Sequence, residues 1–261
     1  MKRIIEISLS LLVVWGAASC NPDDNNGKEP DVPDTPSETI AIDGNFSDWD
    51  TVEGVVGCTL PADANPERLG LKAIKFFADA DYIYGYAEYE NAVMSLEGVD
   101  PSWDGNGAWT TGVPTPLRIF LDLDGNPKTG MTCKPAFPSI GAEIGLELYQ
   151  YMAVETGAVT LGWSQCNTLN VKEGAEDGDD FNALGVQYWS SERDNYIVNR
   201  DNFRSKIAGN SIRTEFAIGL DYCDELKGRT VNVSVQFMAE GWSEKGYLPQ
   251  DEKGYITIQL P

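Results

Sequence analysis

Asp122, Asp124 and Asn126 stand two apart at the end of an apolar run, and each side chain ends in a hard oxygen donor. Hard oxygens crowded into one tight turn suit Ca²⁺ far better than a soft transition metal. The loop is not an EF-hand, because Pro127 stands where the obligatory Gly belongs and Cys133 where the bidentate Glu belongs. Asp-Gly and Asn-Pro are also turn signals in their own right, so a plain hairpin turn accounts for the same residues without metal. The aromatics are the second chemical signal. Trp103 and Trp109 lie in Pro101-Ser102-Trp103-Asp104-Gly105-Asn106-Gly107-Ala108-Trp109, a stretch too rich in Gly, Pro and Asp for a regular core. A flat indole stacks on the C–H face of a sugar ring while neighbouring Asp and Asn bind its hydroxyls. Trp163, Trp189 and Trp242 lie near strand ends and extend the candidate set, although for any single Trp a core or loop-anchor role is the plainer reading.

Other chemistry is excluded by composition. The chain has no histidine, which removes Ser/His/Asp and Cys/His catalysis together with histidine-ligated zinc and haem. A carboxylate pair would suffice for glycoside hydrolysis, and Glu143, Glu147, Glu155 and Glu215 are available. Glu143 and Glu147, however, are four apart on one strand and thus roughly 13 Å from each other along it, too far for such a pair. Nothing resembles a phosphate loop, and a nucleophilic serine would lack its base. The chain therefore reads as non-catalytic. A formal charge of -22 argues against nucleic acid or an anionic membrane surface as partner, and suits a neutral ligand or bound cations.

The elements that must carry these residues are strands. Val231, Val233, Val235, Phe237 and Ala239 alternate with Asn232, Ser234, Gln236 and Met238, the period of a half-buried strand. Leu117 to Leu123 and Ile212 to Leu220 alternate likewise, and Leu71 to Ala78, Tyr82 to Glu90, Glu143 to Val154 and Tyr255 to Leu260 are further strands. Asp79-Ala80-Asp81 turns the second pair into a hairpin. Only Asp221 to Lys227 hints at a helix, about two turns long. Short strands joined by Gly, Asn and Asp turns predict an all-β, antiparallel, jelly-roll-like sandwich. Glu143 is then placed to offer the Asp122 loop another carboxylate from across the sandwich. Cys58, Cys133, Cys166 and Cys223 fit no CxxC metal motif; they allow two disulfides with three connectivities, or buried thiols.

The N-terminus is an address. Lys2 and Arg3 precede an apolar run from Ile4 to Val14 and small residues before Cys20, the pattern of a secretory signal too short to span a bilayer. Ala17-Ala18-Ser19-Cys20 resembles the lipobox of bacterial lipoproteins, with Ala17 in place of the usual Leu. That resemblance implies a signal peptide at 1–19 and a lipid anchor in the outer membrane through Cys20. Residues 21 to 38 carry acids and prolines with almost no large apolar side chain, a composition that predicts an extended tether at 20–38 and a sandwich domain at 39–261. Acids just after the cysteine resemble the surface-export signal of glycan-foraging Gram-negative bacteria, which would place the domain outside the cell; a merely soluble spacer has the same composition.

Ile42-Asp43-Gly44-Asn45-Phe46-Ser47-Asp48-Trp49 resembles the opening "IDGxxxDW" of domains similar to the family-9 carbohydrate-binding modules, which are jelly-roll sandwiches. Four further places agree in order: Asp79 to Tyr84, Asp122 to Gly130, Glu215 to Ile218 and Gly254 to Ile258. The resemblance implies a structural calcium site at Asp122, Asp124 and Asn126 and a core-capping role for Trp49. The leading expectation is a cell-surface lipoprotein that binds extracellular polysaccharide or oligosaccharide beside a glycan-uptake complex. A structural or adhesive surface protein is the alternative, and a carboxylate glycosidase a third.

Overall fold

Period-two alternation leaves each strand with one apolar face, and two sheets bury those faces against each other. The computed structural model describes residues 39–91, 115–127, 130, 140–152, 158–169, 185–188, 198, 201–220, 228–239 and 243–261. Its strands are β1 (Val56–Thr59), β2 (Leu71–Ala78), β3 (Tyr82–Glu90), β4 (Thr115–Asp122), β5 (Ile144–Met152), β6 (Val159–Leu169), β7 (Gly185–Tyr188), β8 (Phe203–Ala208), β9 (Ser211–Gly219), β10 (Thr230–Ala239), β11 (Ser243–Leu248) and β12 (Ile256–Gln259). One sheet has five strands in the order β1-β2-β3-β9-β8. The other has seven, in the order β11-β10-β4-β5-β6-β7, with β12 also paired to β10. The pairings within both sheets are antiparallel.

Ile74, Phe76, Ile83, Ala87, Tyr89, Ile212, Phe216 and Ile218 from the first sheet share a single buried cluster with Leu117, Ile119, Leu121, Leu146, Leu148, Val231, Val233 and Val235 from the second. The expected all-β sandwich is therefore the fold. Tyr89 is fully buried in this layer, and a fully buried hydroxyl needs partners. Its hydroxyl bonds Thr214 Oγ1 on β9 at 2.6 Å and donates to Gln150 Oε1 on β5 across the sandwich. The sheets also join at one corner, where Gly70 N donates to Lys245 O at 2.7 Å and Arg68 pairs with Glu244.

Expected and observed strands coincide at β2 and β3, whose turn is held by Asp79 Oδ1 accepting from Asp81 N at 2.9 Å and Tyr82 N at 2.8 Å. Strands β1, β7, β8 and β11 were not expected. All of them end a sheet; β1 and β8 are rich in exposed residues and β11 reads Ser-Glu-Lys-Gly-Tyr-Leu, so one-sided apolar alternation is weak there. The interior strand β6 also escaped, its sequence being largely polar or small. The Asp221 to Lys227 helix lies outside the described residues.

Gly85 of β3 makes room for its cross-strand partner on β9: a Cβ there would fall 2.2 Å from the Phe216 ring. Gly85→Ala is expected to cost about 1–3 kcal/mol by overpacking, read as a lower urea midpoint at unchanged slope; an unchanged midpoint would mean that the Phe216 ring moves freely aside.

Candidate functional site

Strand β4 ends at Asp122, opposite Asn232 of β10, and the chain turns at once. Asp122 Oδ1 accepts from Asp124 N at 3.1 Å and Gly125 N at 2.7 Å, while Oδ2 accepts from Asn232 Nδ2 at 2.9 Å. Gly125 takes φ +70°, a conformation L side chains rarely adopt, which lets the loop close. Asn232 is itself held by Thr257 Oγ1 of β12 at 3.0 Å. The turn is thus fastened to two neighbouring strands.

Glu143 joins it, though not from the direction expected. Its backbone N donates to Leu121 O at 3.0 Å and its Oε2 accepts from Leu123 N at 2.8 Å. It stands just before β5, in the same sheet as Asp122 and beside it, and not across the sandwich, because β4 and β5 are paired neighbours. One carboxylate oxygen from each of Asp122, Asp124 and Glu143 lies within 4.8 Å of the others. Asp122 is buried, Glu143 half-buried and Asp124 exposed, so the cluster opens to solvent on one side and could hold a metal ion. Asn126 enters the loop through its backbone N–H, which donates to Asp124 Oδ1 at 2.8 Å. An all-oxygen set of this kind matches a hard divalent cation.

The opening motif forms a second built unit. Asp48 Oδ2 accepts from Ala41 N at 2.8 Å. Trp49, 2 % exposed, donates from Nε1 to Glu215 Oε2 at 3.0 Å, and Gly44 N donates to Glu215 Oε1 at 2.6 Å. Around the indole sit Ile40, Val52, Tyr84, Tyr86 and Ala217, so the segment covers the outward side of the five-stranded sheet at β3 and β9. Burial pushes the Glu215 carboxyl above its ordinary value, the Gly44 and Trp49 donors pull it partly back, and Asp48 and Asp43 push it up again.

Two residues that sequence reasoning did not pair meet on the outward side of the other sheet. Arg118 Nε donates to Glu147 Oε1 at 2.7 Å, and Tyr149 OH donates to Glu147 Oε2 at 2.7 Å. Glu147 is fully buried, and burial followed by its negative charge pushes the Tyr149 phenol far above its ordinary value. Arg118 and Glu147 are direct partners in the β4/β5 register; the only signal in the sequence was a charge inside each apolar strand.

Among the expected sugar-binding residues, Trp163 lies in β6 opposite Tyr149. Trp103, Trp109 and Trp242 lie outside the described residues, as do Trp189 and the lipidation site Cys20. Cys58 is a free, half-buried thiol, pushed up to about 11 by burial and then by Asp251; Cys133 and Cys223 lie outside the described residues.

No protein-family model and no curated protein matches the chain. Among solved structures, a candidate carbohydrate-binding protein from Bacteroides uniformis is similar to it with a TM-score of 0.38 and 11 % identity, covering 79 % of this chain and 85 % of that one. At that depth the likeness carries no inference about site or ligand.

The Glu215 clamp makes a pH prediction. The folded protein binds this proton more tightly than an unfolded chain with an ordinary glutamate near 4.5, so the linked stability rises as pH falls through the raised folded value and is lost above it. Relative to Glu215→Gln, the wild type should gain stability as pH is lowered from neutrality towards about 4.5, the ordinary value. Urea melts across that window test it; a flat difference would show that the donors balance burial, and a loss of stability on acidification that they outweigh it.

Proposed function

We propose that this chain is a non-catalytic lipoprotein, anchored in the outer membrane through Cys20, whose β-sandwich faces the cell exterior and binds polysaccharide or oligosaccharide beside a glycan-uptake complex. The observation that carries this reading is that both motifs behind the resemblance to family-9 carbohydrate-binding modules are built as working parts. "IDGxxxDW" docks through Asp48, Trp49 and Glu215, and the Asp122 loop gathers Asp122, Asp124 and Glu143. Ca²⁺ is the ion we assign to that loop, with the Asn126 amide oxygen as a further ligand and a structural role. Glu147 and Glu215 serve as partners of Arg118 and of Trp49, which supports binding over carboxylate catalysis. Trp103, Trp109, Trp163 and Trp242 are the proposed stacking residues.

Calcium has a direct test. A ligand bound only by the folded state at a hundred times its Kd stabilises by about 2.7 kcal/mol. The melting midpoint should rise with millimolar Ca²⁺, fall with EDTA, and lose both responses in Asp124→Asn, whose side chain is exposed and whose loss should leave the fold intact. No response in the wild type would leave the loop as a hydrogen-bonded turn. The binding function is tested by a glycan array on the full chain, with Ca²⁺ and with EDTA. A hit names the ligand class; a folded protein that binds no plant, host or microbial glycan would overturn the reading in favour of a structural or adhesive role.

A further inference from the structure

A cleft of about 420 Å³ opens between the motif loop and the β8–β9 hairpin, lined by Asn45, Phe46, Asp50, Lys206, Ile207 and Arg213 among others. The size suits one or two sugar rings. Its charge runs against the rest of the molecule. In a chain of formal charge -22, Lys206 and Arg213 are direct cross-strand partners, and like charges set opposite each other on a sheet are destabilising.

The acids nearby pair with one of the two cations and leave the other. Arg213 Nε is held by Glu88 Oε2 at 3.2 Å, which leaves the two Nη groups of its fork. Asp50 is paired with Lys75. Lys206 is exposed and its ammonium has no acidic partner among the described residues. The other lining is apolar or neutral: Phe46, half-buried and edge-on to Tyr86 at 5.8 Å, and Asn45, whose amide suits hydroxyl groups; Ile207 stands opposite the core residue Ile212 and so lines the cleft from the other parity of β8. An ammonium without an acidic partner among the described residues and the outer side of a paired guanidinium, beside an aromatic ring, fit a ligand with an apolar face and an anionic substituent.

We infer that this cleft binds an acidic sugar residue, with Lys206 and the Arg213 fork receiving its carboxylate or sulfate and Phe46 lining the side of the ring. The inference rests on the proposed carbohydrate-binding function and names the ligand class of one site. Arg suits bidentate capture of such an anion, and Lys adds a point charge.

The test is calorimetric titration of the full chain with trigalacturonate, a hyaluronan tetrasaccharide and a sulfated disaccharide, with methyl-esterified trigalacturonate as the neutral control and tri-aspartate as the acidic peptide. At least one acidic saccharide should bind, trigalacturonate tighter than its ester by about tenfold where it is the ligand, and added salt should weaken the binding. Lys206→Gln should reduce affinity about tenfold and Lys206→Glu abolish it, a charged hydrogen bond being of that size, with melting no lower than in the wild type because the side chain is exposed and both changes relieve its repulsion from Arg213. Binding unchanged in Lys206→Glu, equal affinity for acid and ester, or displacement by tri-aspartate at the same concentration would overturn the inference. So would failure of every acidic saccharide. If neutral glycans still bind on the array, that failure ends this inference alone; if nothing binds, the proposed function falls with it.

Discussion

The buried carboxylate of Glu215 is the constraint on which one whole side of the molecule depends. It sits on β9 beneath the motif segment and receives the indole N–H of Trp49 and the backbone N–H of Gly44. A buried carboxylate without donors would cost several kcal/mol, so the segment that supplies them cannot leave without exposing it. The same segment covers Tyr84, Tyr86 and Ala217 and gives one wall of the cleft at Phe46. Packing, hydrogen bonding and the shape of a surface site are thus tied to one side chain.

The seven-stranded sheet solves the same problem twice on its outward side. Glu147, in the middle of β5, is neutralised by Arg118 and bonded by Tyr149. Asp122, at the end of β4, instead takes backbone donors from its own turn and an amide from Asn232. The difference follows from position. A residue within a ladder has its backbone neighbours committed to the sheet and must be satisfied by side chains, whereas a residue at a strand end has free N–H groups of the turn within reach. Only the second arrangement leaves carboxylate oxygens grouped beside solvent, where a cation can enter.

Much of this was legible beforehand, and the misses share a cause. Strands β4, β9 and β10 were readable because apolar residues recur at every second place, so the period of two is visible. The polar or small residues of β1, β6, β8 and β11 hid those strands, whose pairing comes from neighbours already in place. Asp122, Asp124 and Glu143 were readable as hard donors, yet Glu143 was expected from across the sandwich because the order of strands within a sheet is not written in their periodicity. The roles of Arg118, Glu147 and Glu215 depend on partners 29 and 166 residues away, and no local pattern marks such pairs.

Alone, the sequence determined the all-β class, the turn at Asp122 with its oxygen donors, the exclusion of histidine chemistry and the strand character of most of the core, because each is a local property of residue type and spacing. Tertiary structure decided which strands are neighbours. That choice placed Glu143 beside Asp122, Arg118 opposite Glu147, Trp49 over Glu215 and Lys206 opposite Arg213. The physical reason is that side-chain direction along a strand is set by the residue's own parity, while its partner is set by strand order and register, which emerge only when all the apolar faces are buried together.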